Sequence, residues 1–83
     1  MNRAEITRLI DAERSRQAAK WAGVHEWGQG DCSSTNVPAI VKAAVLTEET
    51  GEVVRAVLDL DDDNLIDELV QVAAVAIAWL EAM

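Results

Sequence analysis

The sequence predicts an all-α fold, with three main helices assembled into an oligomeric helical bundle, and three observations carry that prediction. Apolar residues recur at helical spacing over three long segments, separated by two stretches of loop chemistry. The chain has only 83 residues, a length at which a monomer buries roughly 60% of its unfolded surface. Yet 51% of the residues are hydrophobic, and the single cysteine, Cys32, has no partner in the chain with which to form a stabilising disulfide. The surplus apolar surface therefore points to a homodimer or homotetramer.

The first helix is expected over residues 3–22, because Ile6, Leu9, Ile10, Glu13, Gln17, Lys20 and Trp21 fall on one side and no Gly or Pro interrupts them. That side is apolar in its first half and polar or aromatic in its second. The plain reading of the second half is a partly exposed helix end with a packing tryptophan and a snorkelling lysine. Residues 23–36, GVHEWGQGDCSSTN, hold three of the four glycines beside Asp, Ser, Thr and Asn, and so read as a loop rather than a regular element. Trp27 and His25 are candidates for a pocket wall there, although Trp27 serves equally well as a pin holding the loop to the bundle. No second His or Cys stands at a metal-ligand spacing from His25, and Cys32 lacks a base partner, so neither reads as a metal ligand or a nucleophile.

The second helix is expected over residues 37–59, with Asn36 or Val37 at its N-cap and Pro38 in its first turn, where a missing N–H does no harm. It is apolar on most sides, leaving Lys42, Thr47, Thr50 and Arg55 as thin polar strips, and it therefore needs neighbours on several sides. Gly51 in its middle costs up to about 1 kcal/mol relative to Ala, which predicts a close helix approach or room for a ligand. Asp61, Asp62, Asp63 and Asn64 form an acidic turn that caps the third helix, residues 63–82. Leu65, Leu69, Ala73, Ala76 and Leu80 make one side of that helix, and its alanines permit close packing.

Function enters through carboxylates set on apolar faces. Glu49 and Glu52 are i,i+3 neighbours that share a side with Val41, Val45 and Ala56, while Glu68 lies on the row of Val72, Val75 and Trp79 with Gln71 beside it. Such groups are costly to bury unless paired, hydrogen-bonded or bound to a cation, so two facing clusters point to a divalent metal site between helices. A net charge of −8 argues against a nucleic-acid polymer or an anionic membrane as partner, but it admits a triphosphate that arrives with divalent cations. The N-terminal residues have no apolar core of a secretory signal, the run from Leu69 to Leu80 is too short to span a bilayer, and a lone thiol suits a reducing compartment, so a cytoplasmic location is expected. There is no Walker-type loop, no HExxH and no CxxC pair.

Glu48-Glu49-Thr50-Gly51-Glu52 and Glu68-Leu69-Val70-Gln71 resemble the paired EExxE and ExxD motifs of the MazG-like, all-α nucleoside triphosphate pyrophosphohydrolases. The resemblance runs from the RQxxKW-like segment Arg16 to Trp21 through to the C-terminus, making residues 1–83 a single MazG-like helical domain. It implies a Mg²⁺-dependent (or Mn²⁺-dependent) conversion of a (deoxy)nucleoside triphosphate to the monophosphate and pyrophosphate. Glu49, Glu52 and Glu68 would be metal ligands with Gln71 at the fourth position, and Glu48 would be a ligand or water-positioning base. Gln17, Lys20 and Trp21 would meet the substrate, joined by His25 and Trp27 from the loop. The chain departs from the pattern at Gln71, a neutral amide where the family has Asp. Two other readings follow: a non-catalytic relative that binds nucleotide or metal, and a helical oligomerisation module whose glutamates pair with Arg14, Arg16, Lys20 or Arg55.

Overall fold

A computed structural model describes residues 1–83 as α1 (Arg3–Lys20), β1 (Val24–His25), β2 (Gly28–Gln29), α2 (Ala39–Leu58) and α3 (Asp62–Glu81). The three helices stand where periodicity places them, to within one or two residues at each end. Local chemistry sets their limits. Asn2 Oδ1 accepts the Glu5 backbone N–H at 2.8 Å to start α1, and Asp61 Oδ1 does the same for Asn64 at 3.1 Å to start α3. Asp62 and Asp63 then place negative charge on the first turn of α3, where the helix dipole favours it.

The start of α2 differs from expectation. Pro38 is the N-cap, with no side-chain bond, and its carbonyl receives the Val41 and Lys42 N–H groups. Asn36 is engaged elsewhere, its Oδ1 accepting the Gln29 N–H at 3.0 Å. At the other end of α2 the Asp61 N–H reaches the Ala56 carbonyl and the Leu60 N–H reaches that of Val57, which is a Schellman closure. That closure holds Leu60 at φ 54°, a left-handed position normally given to Gly.

The segment 23–36 is not wholly irregular. Val24 pairs with Gln29 and His25 with Gly28 in a short antiparallel hairpin turning at Glu26–Trp27. A ladder of two residues leaves no alternation for sequence periodicity to detect. Gly28, at φ 146°, sits where a Cβ would collide with the Asn36 carbonyl oxygen, and so the hairpin docks against the start of α2.

Helix α3 is the central element. It packs against both α1 and α2, which do not pack against each other. Its buried residues are Glu68, Ala74, Val75 and Ala78, whereas Leu69 and Leu80, expected on the packed side, are 51% and 67% exposed. Small side chains let the neighbouring backbones approach, while Ile66, Leu69, Ile77 and Leu80 are left outside. On α2 Lys42 is 4% exposed, although a polar strip was expected there, while Ile40 is largely open. Only eight of the 83 residues are buried, and none is a fully enclosed large side chain. The single chain thus has a core of small residues and keeps Val54, Val57, Leu58, Ile66 and Ile77 on its surface. No helix is long and apolar enough to cross a membrane.

Candidate functional site

Because α1 and α2 flank α3 with their backbones held apart, a pocket of about 580 Å³ opens between them, lined from α3 by Gln71 and Val75. Helix α2 lines it at a spacing of four residues: Ile40 and Val41, then Ala44 and Val45, then Glu48 and Glu49. Helix α1 contributes Arg16, Gln17, Lys20 and Trp21, the hairpin contributes Trp27, and Asp31, Cys32 and Val37 close the wall. The hairpin docks at the start of α2, and Glu48 and Glu49 lie two to three turns further on, roughly 13 Å along the helix. The pocket therefore has an aromatic end and an acidic end.

At the aromatic end, Trp21 and Trp27 meet at 59° with their ring centroids 6.1 Å apart. His25 stacks against Trp27 at 4.8 Å and an interplanar angle of 9°. It does not line the pocket. Its Nε2 lies 3.2 Å from the Trp21 carbonyl oxygen, which can only accept, so Nε2 carries the proton and ties the hairpin to the end of α1. His25 is thus a support for Trp27 rather than a wall residue. The Lys20 ammonium lies 5.1 Å from the Trp21 ring centroid, within reach of a cation–π contact at the pocket rim.

At the acidic end the charges are poorly compensated. Glu49 and Glu68 each have an enclosed Oε2 with no hydrogen-bond partner. Burial raises the pKa of Glu49, and repulsion from Glu68, Glu48, Glu52 and Glu13 adds to it. Burial likewise raises that of Glu68, with Glu52, Asp67 and Glu13 adding repulsion. Orphaned buried carboxylate oxygens are what a hard cation relieves, and Mg²⁺ accepts a few carboxylates with water or phosphate in its remaining positions. The donor chemistry fits such an ion. The geometry provides no ready cage, since no three His, Cys, Asp or Glu side chains are grouped to hold one. Of the four sequence-expected ligands, Glu49 and Gln71 line the pocket, Glu68 is buried on α3 without lining it, and Glu52 is exposed.

A family comparison bears on these same residues. The family model described as the MazG nucleotide pyrophosphohydrolase domain matches residues 40–80, a span that contains both acid motifs. The chain belongs to the MazG-like family. Neither a search of curated proteins nor one of solved structures returned a match. In this MazG-like chain the match takes in α2 and nearly all of α3, so the acidic end carries the family likeness. The aromatic end and α1 lie outside it and stand on the pocket geometry alone.

Several residues of the site were not legible as such. Glu13 has a side chain only 9% exposed, and both of its oxygens lie 2.6–2.7 Å from Arg16 Nε, so it joins the acidic group from α1 under a guanidinium cover. Its place one turn before Gln17 on the same side of α1 was the available signal. Arg14 joins three elements, bonding to Gln17, to Asp31 at 2.9 Å and to Glu81. Cys32 lines the pocket with its thiol pKa raised, first by burial and then by Asp31, which disfavours the thiolate.

Proposed function

We propose that this MazG-like chain is a Mg²⁺- or Mn²⁺-dependent nucleoside triphosphate pyrophosphohydrolase of the cytoplasm, acting as a homodimer or homotetramer on a (deoxy)nucleoside triphosphate. The observation that carries this reading is a single pocket with Trp21 and Trp27 at one end and Glu48 and Glu49 at the other, which suits a base at one end and cation-bound phosphates at the other. A divalent ion held by Glu49 and Glu68, with Glu52 and Gln71 alongside, would supply charge neutralisation and a more acidic water. Glu48, exposed on the wall, would position a water there and take up its proton. Gln17, Lys20 and the two indoles fix the substrate so that the bond between its α and β phosphates faces Glu48. The water oxygen would bond to the α phosphorus as the bridge to the β phosphorus breaks, its electron pair leaving on pyrophosphate and the water proton passing to Glu48.

Thermal melts with Mg²⁺ and a non-hydrolysable α,β-methylene triphosphate test the site. A ligand at 100 times its dissociation constant stabilises by about 2.7 kcal/mol, and Glu49→Gln and Glu68→Gln should each lose most of the gain. If both variants respond to metal as the parent does, the assignment is wrong, and an ion-paired helical module that answers only to ionic strength takes its place. Gln71 on the pocket wall supports a second reading, a non-catalytic binder: that protein gains the same stability but releases no pyrophosphate.

A further inference from the structure

We propose that Arg14, which does not line the pocket, sets the hydrogen-bonding polarity of its wall by holding the Gln17 side-chain oxygen away from the ligand, so that the pocket takes a nucleobase through a lone-pair-bearing edge, a carbonyl oxygen or ring nitrogen. This deepens the nucleotide reading above and rests on it. Gln17 is 8% exposed and lines the pocket one helical turn before Trp21. Its Oε1 lies 3.2 Å from Arg14 Nη1.

Arginine has no acceptor, so the amide oxygen must face it; the opposite orientation would set N–H against N–H. Arg14 is itself held against rotation. The same Nη1 donates to Asp31 Oδ2 at 2.9 Å, and Nη2 and Nε donate to the two oxygens of Glu81 at 3.2 and 3.4 Å. Both N–H groups on Gln17 Nε2 are thereby left with no protein acceptor, yet that nitrogen is not among the sealed unpartnered atoms, which are Glu49 Oε2 and Glu68 Oε2 alone. It opens onto the pocket its side chain lines. A donor pair without a protein partner on the wall of a pocket favours a ligand that supplies an acceptor and disfavours one that supplies a donor. With a base against Trp21 and Trp27, the group within reach of Gln17 is the edge of that base.

The test is binding of α,β-methylene nucleoside triphosphates with Mg²⁺, read by quenching of the pocket tryptophans, beside the base-free ribose 5′-triphosphate. Gln17→Met keeps length and loses both donors without adding charge. It should weaken the best-bound nucleotide roughly 10-fold or more while leaving ribose triphosphate unchanged. Arg14→Met, which removes the donor facing Oε1, should lower the same nucleotide-to-ribose ratio by letting the amide turn. In the parent, the Gln17 side-chain amide protons should shift downfield and exchange more slowly when nucleotide binds. An equal loss for nucleotide and ribose triphosphate in Gln17→Met places the donors on phosphate and overturns the base-edge assignment, as does no loss at all. A parent that binds ribose triphosphate as tightly as every nucleotide also overturns it. A parent that binds none of these ligands overturns the nucleotide reading and this inference together.

Discussion

Asp31 is 7% exposed at its side chain and shows how single groups hold the site in place. Burial alone would raise its pKa, but hydrogen bonds from Ser33 and Arg14 outweigh burial and bring it below the ordinary 3.8. A carboxyl lowered in the folded state contributes stability that is fully present above its unfolded value and disappears as pH falls through the folded one. The stability difference between the parent and Asp31→Asn should therefore be constant from neutral pH down to about pH 5 and shrink below pH 4. Denaturant melts across that range check it, and a difference that persists unchanged at pH 2 contradicts it. At this scale the sequence was partly legible. Glu49 stood out by type and spacing, Gln71, Gln17, Lys20 and Trp21 through the family resemblance, and Trp27 as a loop aromatic, and all six line one pocket. His25 was expected on the wall and stands behind it, because ring stacking depends on a hairpin that its own sequence does not announce. Arg14 was legible only as a charge, since its partners Asp31 and Glu81 are 17 and 67 residues away.

Among the elements, the helices follow from periodicity and caps, and two positions in and after α2 run against local preference. Gly51 sits mid-helix, where an added Cβ meets nothing within 4 Å, so the close approach expected from its presence is not found. Leu60 occupies the left-handed position after α2 and is 88% exposed. Opposite substitutions should both stabilise: Gly51→Ala by about 0.5–1 kcal/mol through helix propensity, and Leu60→Gly by about 1 kcal/mol through relief of the Cβ clash. Chemical denaturation measures both. A loss of stability in Gly51→Ala would mean that a partner helix approaches there. The packed side of α3 was the least legible feature, because the helix is apolar nearly all round and hydrophobicity alone does not choose among its sides. Closeness of approach chose the alanines.

For the molecule as a whole, helical fold class and acid motifs could be read from the chain, whereas the pocket could not. It exists because α1 and α2 straddle α3, a relation that no local pattern encodes. The exposed apolar residues of α2 and α3 leave the proposed assembly with ample surface. Sedimentation at micromolar concentration should give a mass that is a multiple of 9.0 kDa, and the acidic chains should associate more tightly as salt screens their repulsion. A monomer at every salt concentration contradicts this. The central claim, that the acidic end of the pocket drives pyrophosphate release, is tested most directly by product analysis. Canonical and modified triphosphates are incubated with Mg²⁺ and either the parent or Glu49→Gln. The account predicts equal amounts of nucleoside monophosphate and pyrophosphate, dependent on metal and at least about 100-fold slower in Glu49→Gln. Diphosphate with orthophosphate as products, or an undiminished rate in the variant, would contradict it.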